Sequence, residues 1–265
     1  MSRHRSLPRA RSSHTGSTRK RLSQNFLADT GTADLLVRES GVGAADLVVE
    51  IGPGDGMLTR RLLGAAGRIL AYELDGHYAA RLRRRYAQDS RIHCYHSDFR
   101  SIAAPCEPFA VVANIPFGST TDIVRWCLSA RQLTSATLLV QEEFARKHTG
   151  SYGRWTKLAI SHWPTAAMEL GPRVSRNRFR PVPQVDAAIL HIRPRLLLPV
   201  SALPDYRRLV ELGFSGVGGS LAASLSRAHP SRAVRKACAG AGIPLDQPVG
   251  LVRPDQWLNV FTTLR

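Results

Sequence analysis

From residue 46 onward, short apolar runs alternate with amphipathic stretches. That alternation admits few folds, because it is what βα units wound around a parallel sheet require. The runs at 46–52 (DLVVEIG), 68–74 (RILAYEL), 91–97 (RIHCYHS), 109–115 (FAVVANI) and 136–142 (ATLLVQE) predict strands buried on both faces. Between them, 56–67 and 76–88 predict helices. In the second, Tyr78, Leu82 and Tyr86 recur every four residues and leave the arginines to water. Thr120 to Ser129 predicts another helix, and 29–41 one that packs over the sheet and stops at Gly41. Apolar segments around 165–170 and 185–192 predict an antiparallel hairpin closing one edge of the sheet. Pro194, Pro199 and Pro204 then interrupt any regular element, which places a domain boundary near 198. Beyond it, 205–214, 218–228, 231–242 and 253–265 predict helices only, with Pro254 suited to a first turn; these would pack as a small bundle.

The 265 residues suffice for one large domain plus a smaller one, and 43% hydrophobic with 22% charged residues excludes wholesale disorder. A net charge of +17 sets up a long-range field favouring polyanions, nucleic acid above all. Residues 1–25 hold seven basic side chains, Arg19, Lys20 and Arg21 among them, and no acid. The first 20 residues are rich in Ser, Arg and Pro with few apolar residues, so they read as a mobile basic arm rather than a secretory signal. No run of apolar residues is long enough to span a membrane. Cys94, Cys106, Cys127 and Cys238 are too scattered for a zinc ribbon or a redox pair, which suits reduced thiols in a cytoplasmic protein. His93, Cys94 and His96 lie close together, but strand alternation sends neighbours to opposite faces; no metal is expected.

The segment Glu50-Ile51-Gly52-Pro53-Gly54-Asp55-Gly56 sits where the first strand ends and a helix begins, the edge at which doubly wound sheets bind nucleotides. Its spacing is G-x-G-x-G, and Met57 stands where a dinucleotide fingerprint would place its last glycine. The loop resembles that of S-adenosylmethionine-dependent methyltransferases more than that of a dehydrogenase. Glu73 ends the second strand, where an acid accepts hydrogen bonds from both ribose hydroxyls of an adenosine. Asp98 follows the third strand and is placed to accept from an adenine amino group. Leu74 and Phe99, next to the two acids, complete the expected cofactor set with Gly52, Gly54 and Gly56.

Asn114-Ile115-Pro116-Phe117 ends the fourth strand on the same side. An adenine exocyclic amine is a poor nucleophile because its lone pair is delocalised into the ring. Two acceptors facing its protons, the Asn114 side-chain oxygen and the Ile115 carbonyl held outward by rigid Pro116, would draw that nitrogen towards tetrahedral geometry. Phe117 offers a π-face for the base. No catalytic His, Ser or Cys is demanded.

Ser23-Gln24-Asn25-Phe26-Leu27, the glycine loop, Glu73, Asp98, Asn114-Ile115-Pro116-Phe117 and Phe179-Arg180-Pro181-Val182-Pro183-Gln184-Val185-Asp186 together resemble the ribosomal RNA adenine N6-methyltransferase family, which includes the Erm resistance enzymes and the KsgA-type dimethyltransferases. The resemblance covers about residues 19 to 195. It implies a Rossmann-like methyltransferase sheet in a catalytic domain at 21–197, preceded by the arm at 1–20 and followed by a small all-α domain at 198–265. It further implies that Asn25, Leu27, Gly52, Glu73, Asp98 and Asn114 contact S-adenosylmethionine, and that Phe117 and Phe179 sandwich a flipped adenine, as stacking on extruded bases requires. The stretch NIPFGSTT looks more like the Erm branch than the N-L-P-Y pattern of the KsgA type. That branch implies methylation of one adenine in the peptidyl-transferase loop of 23S rRNA, free or in early assembly intermediates, with macrolide resistance as the result. Arg173, Arg176, Arg178 and Arg180, with the arm, are the expected phosphate contacts; Arg81, Arg83, Arg84 and Arg85 stay open. A monomer is expected. The alternatives are a KsgA-type enzyme acting on adjacent adenines of small-subunit RNA, a non-catalytic RNA-binding assembly factor, and a dehydrogenase.

Overall fold

In the computed structural model, which describes residues 25–216 and 219–265, a seven-stranded sheet runs in the order β4-β3-β2-β5-β6-β9-β7. Its members are β2 (Leu47–Ile51), β3 (Arg68–Glu73), β4 (Ile92–His96), β5 (Phe109–Asn114), β6 (Leu133–Gln141), β7 (Ala166–Val174) and β9 (Ala187–Pro194). The strands from β4 to β6 are mutually parallel, and β9 lies antiparallel to both β6 and β7. The expected hairpin thus closes one edge, its second strand the inner one. From β2 the chain steps outward through β3 and β4, then crosses back to β5 and β6 on the other side. That reversal between β2 and β5 is where open α/β sheets bind ligands.

The sheet is covered on both faces, so its strands carry continuous apolar runs. On one face Val48 and Val112 pack with Ala33 and Leu36 of α1 (Thr30–Ser40) and Leu58 and Leu62 of α2 (Met57–Leu62). On the other, Val49, Ile51, Val111 and Ala113 pack with Ile123, Val124 and Cys127 of α4 (Thr120–Ser129). Helix α1 begins at Asp29, whose carboxylate accepts from the Thr32 N–H, and ends at Gly41 in the left-handed region, as expected. Helix α2 is shorter than its pattern predicts: Gly64 and Gly67 close a turn, and a Cβ on Gly67 would stand 2.3 Å from the Ala44 carbonyl oxygen. Helix α3 (Gly76–Arg85) buries Tyr78, Ala79 and Leu82, while Tyr86 caps its end.

Two helices were not foreseen, α5 (Glu142–His148) directly after β6 and α6 (Lys157–His162) capped by the Thr156 hydroxyl. A two-residue pairing of β1 (Phe26–Leu27) with β8 (Phe179–Arg180) is also new. Helices α7 (Leu203–Gly213), α8 (Leu221–Leu225), α9 (Ser231–Gly240) and α10 (Pro254–Leu264) enclose a separate core around Tyr206, Trp257 and Phe261. Ile160 of α6 belongs to that core and its carbonyl accepts from the Tyr206 hydroxyl at 3.0 Å, which ties the bundle to the helix before β7.

Candidate active site

A pocket of about 290 Å3 opens at the β2/β5 reversal. It gathers Asn25, Gly52, Gly54, Glu73, Leu74, Asp98, Phe99 and Asn114, residues from five separate stretches of sequence. Ile115 and Pro116 line it too. Gly56 and Leu27 stand back from the lining: Gly56 caps α2, and Leu27 is buried beneath the glycine loop.

The loop after β2 takes this shape because Gly52, Gly54 and Gly56 adopt φ of 70°, 57° and 85°, values that strain any other residue. A Cβ on Gly54 would lie 2.7 Å from the Phe26 ring, and one on Gly56 2.7 Å from Leu82. Close packing against Phe26 and Leu82, together with left-handed backbone, therefore calls for glycine here. Glu73 holds the loop across 19 residues: its Oε2 accepts from the Gly54 N–H at 2.9 Å and its Oε1 from the Asp75 N–H at 2.8 Å. Each oxygen keeps a further lone pair, which suits it to two ribose hydroxyls. Burial pushes the Glu73 carboxyl above the usual range, and the Asp75 and Gly54 N–H bonds pull against that rise. Asp98 is held low by the Arg100 guanidinium, with which it pairs, and it also accepts from the Arg100 N–H at 3.0 Å. It remains an ionised acceptor at the rim. These acceptors and the glycine loop fit an adenosine-bearing group.

Asn114 is fixed from a distant part of the chain. Its Nδ2 donates to the Asn25 carbonyl at 2.9 Å, which assigns the amide orientation and leaves Oδ1 as the free acceptor. In the same tetrapeptide the Pro116 carbonyl accepts from Ser119 N–H and the Phe117 carbonyl from the Thr120 hydroxyl, both at 3.0 Å. The Ile115 carbonyl is outside these bonds.

Phe117 and Phe179 come together, but edge to face: their centroids are 6.4 Å apart and the planes cross at 64°. Phe179 is 0% exposed, packed among Leu27, Leu36, Val174 and Ile189. No gap for a base exists between the rings as they stand. The segment that carries Phe179 is pinned at several points. Phe26 and Leu27 pair with Arg180 and Phe179, and the Ala28 N–H donates to the Arg178 carbonyl at 2.7 Å. Asp186 accepts from the Arg176 N–H at 2.8 Å and pairs with Arg173, which also donates to Glu142 at 3.0 Å. Of the four expected phosphate contacts, all exposed, Arg173 is thus committed to two acids, Arg178 lies 3.5 Å from Asp29, and Arg180 donates to the Phe179 carbonyl. Arg19, Lys20, Arg21, Ser23 and Gln24 lie outside the described residues.

Sequence reasoning passed over Phe26, Tyr72, Ser97 and Arg100, which line the pocket. Glu50 was missed as well. It is 1% exposed in the sheet, and burial pushes its carboxyl up to about 8 against the opposing pull of the neighbouring Thr59. An acid inside the apolar run LVVEI was the available signal.

Comparison with known proteins gives concordant results. A family model described as ribosomal RNA adenine dimethylase matches residues 15–265. The chain is 48% identical over 251 residues to an rRNA adenine N-6-methyltransferase of Streptomyces fradiae, covering 93% of this chain and 79% of that one. It is 46% identical over 243 residues to an rRNA methyltransferase of Streptomyces thermotolerans, covering 91% and 81%. Among solved structures it resembles the 23S rRNA methyltransferase ErmE, with a TM-score of 0.85 and 42% identity over 91% of this chain and 99% of that one.

Proposed function

The chain belongs to the ribosomal RNA adenine dimethylase family, and from that premise we propose that it methylates the N6 amine of one adenine in the peptidyl-transferase loop of 23S rRNA. It is an S-adenosylmethionine-dependent rRNA (adenine-N6)-methyltransferase. Methyl groups at that site would block macrolide, lincosamide and streptogramin binding, so the physiological result is resistance. The similarity to ErmE over nearly its whole length supports the 23S reading over a small-subunit target.

One observation carries the mechanism: Asn114, which lines the pocket, commits an amide N–H to the Asn25 carbonyl and keeps Oδ1 as an acceptor. Asn114 Oδ1 and the Ile115 carbonyl accept the two N6 protons and draw the amine lone pair out of conjugation. Glu73, Asp98 and the glycine loop would hold S-adenosylmethionine, which supplies a methyl group made electrophilic by its sulfonium. Phe117 provides a face for the extruded base. The remaining gain is one of alignment, since a neutral thioether leaves without acid catalysis.

The substrate is free or partly assembled RNA, because a base buried in a finished particle has no path into the pocket. Among the described residues no helix is long and apolar enough to cross a membrane; acting on rRNA, the enzyme would be cytoplasmic, and we take it to be a monomer. Isolated 23S RNA and assembled 30S particles, incubated in parallel with enzyme and labelled S-adenosylmethionine, test the reading. Label should enter 23S RNA alone and map to one adenosine by nucleoside mass spectrometry; product only on 30S particles overturns it.

A further inference from the structure

An extruded nucleotide leaves its two neighbours on the protein surface, and the register of the sheet says where one of them lies. Asn114 pairs with Leu139 across β5 and β6, and α5 starts three residues beyond, at Glu142. With strands about 4.8 Å apart and about 3.3 Å per residue, Glu142 is about 11 Å from Asn114, past the carboxyl ends of the strands. A groove of about 480 Å3 opens there, between the first turn of α5, the 149–154 turn and the end of the Phe179 segment.

The groove is built as a nucleotide subsite would be. Tyr152 is 55% exposed and stands between Gly150 and Gly153, whose φ of 74° and 67° turn the chain sharply on either side of it. Val185, 39% exposed, adds an apolar wall. Arg146 and Arg176 lie in the lining; Arg146 forms an ion pair with Glu142 Oε1 at 2.8 Å and Arg176 donates to the Gln184 carbonyl at 2.9 Å, and their other guanidinium N–H groups have no partner among the described residues. Three acids also line the groove, but Glu142 and Asp186 are bound to arginines, and Glu143 alone is unpaired among the described residues. Arg146 and Arg176 thus border the exposed aromatic face of Tyr152. That pairing suits single-stranded nucleic acid, where an aromatic ring takes a base and guanidinium groups take the phosphates.

We propose that this groove is a second nucleotide subsite, in which Tyr152 stacks on an unpaired base neighbouring the target adenosine while Arg146 and Arg176 hold the intervening phosphates. The inference rests on the reading of the main site as an adenine pocket for RNA. Its ligand is the same strand, read one step along.

The test uses Tyr152→Ala and Tyr152→Phe with a 23S RNA fragment containing the peptidyl-transferase loop. Tyr152→Ala should raise KM for RNA by about tenfold with kcat unchanged, whereas Tyr152→Phe, which keeps the ring, should stay within about twofold of the parent. Affinity for S-adenosylmethionine, measured by calorimetry, should be the same in all three, showing that the fold is intact. An unchanged KM in Tyr152→Ala, or an equal loss in Tyr152→Phe, overturns the subsite. Failure of the parent enzyme to methylate the fragment at all would instead strike the main-site reading.

Discussion

The rings of Phe117 and Phe179 cross edge to face at 6.4 Å, with Phe179 sealed in the core beneath β1 and β9. A base sandwiched between two parallel faces needs about 7 Å from ring to ring, twice the contact distance of carbon atoms. Forming a sandwich therefore requires the rings to turn parallel and part slightly, and Phe179, buried and paired through its strand with Phe26 and Leu27, is the more constrained of the two. If Phe179 also stacks on the base, its two duties have different size requirements. Phe179→Ala should cost about 3–5 kcal/mol in urea denaturation, as expected of a buried ring. Phe179→Leu should keep most of that stability and lose RNA affinity. Phe117→Ala, at a half-buried position, should lose RNA affinity with little effect on stability. If Phe179→Leu binds and turns over RNA like the parent, Phe179 serves only as core.

Gly54 and Phe26 form a tight approach in the glycine loop. A methyl group on Gly54 would meet the ring at 2.7 Å and would sit on a backbone of φ 57°. Gly54→Ala should weaken S-adenosylmethionine binding by at least about tenfold, since left-handed backbone alone costs an L-residue about 1–2 kcal/mol. Adding Phe26→Leu should recover part of the loss, the steric part, and leave the backbone part in place. Calorimetric titration of the two single variants and the double variant measures the coupling directly.

What could be read in the residues follows from how local the physics is. The glycine loop was legible because positive φ restricts the residue type at each position, and the strands because burial on both faces leaves continuous apolar runs. Glu73 and Asp98 were legible from their places at successive strand ends, and both line the pocket. The Asn25–Asn114 bond spans 89 residues, and no periodicity announces it. Helix α5 was hidden behind β6, although Glu142 and Glu143 in its first turn and Arg146, Lys147 and His148 in its last complement the helix dipole. The arginines before Phe179 looked like free cations because Glu142, which holds Arg173, lies 31 residues away. Charge in a sequence shows the field; only the fold shows which cations are already neutralised.

The Asn25–Asn114 bond makes a prediction of its own. Asn114→Ala removes the side-chain acceptor and should lower kcat by about a hundredfold or more, while RNA affinity stays nearly unchanged. Asn114→Asp keeps an acceptor but loses the N–H that Asn25 receives, and it places an unpartnered carboxylate opposite that carbonyl. It should retain more turnover than Asn114→Ala and lose thermal stability. Single-turnover kinetics with preformed enzyme–RNA complex separates the chemical step from binding; undiminished turnover in Asn114→Ala would remove the mechanism.

Glu50 links the centre of the sheet to pH. Burial raises its carboxyl from 4.5 to about 8, so the folded protein holds a proton there that the unfolded chain releases above about pH 4.5. Below the unfolded value both states are protonated and the group is neutral in the balance. As pH rises from there to about 8 the folded state is progressively penalised, and the penalty levels off above that value. Glu50→Gln keeps the shape and removes the titration. Its stability should therefore gain on the parent by about 2 kcal/mol between about pH 5.5 and 7.5, read from urea midpoints at each pH. A gap that stays constant with pH would mean that Glu50 is ionised in the folded protein, with a counter-charge or solvent reaching its two oxygens.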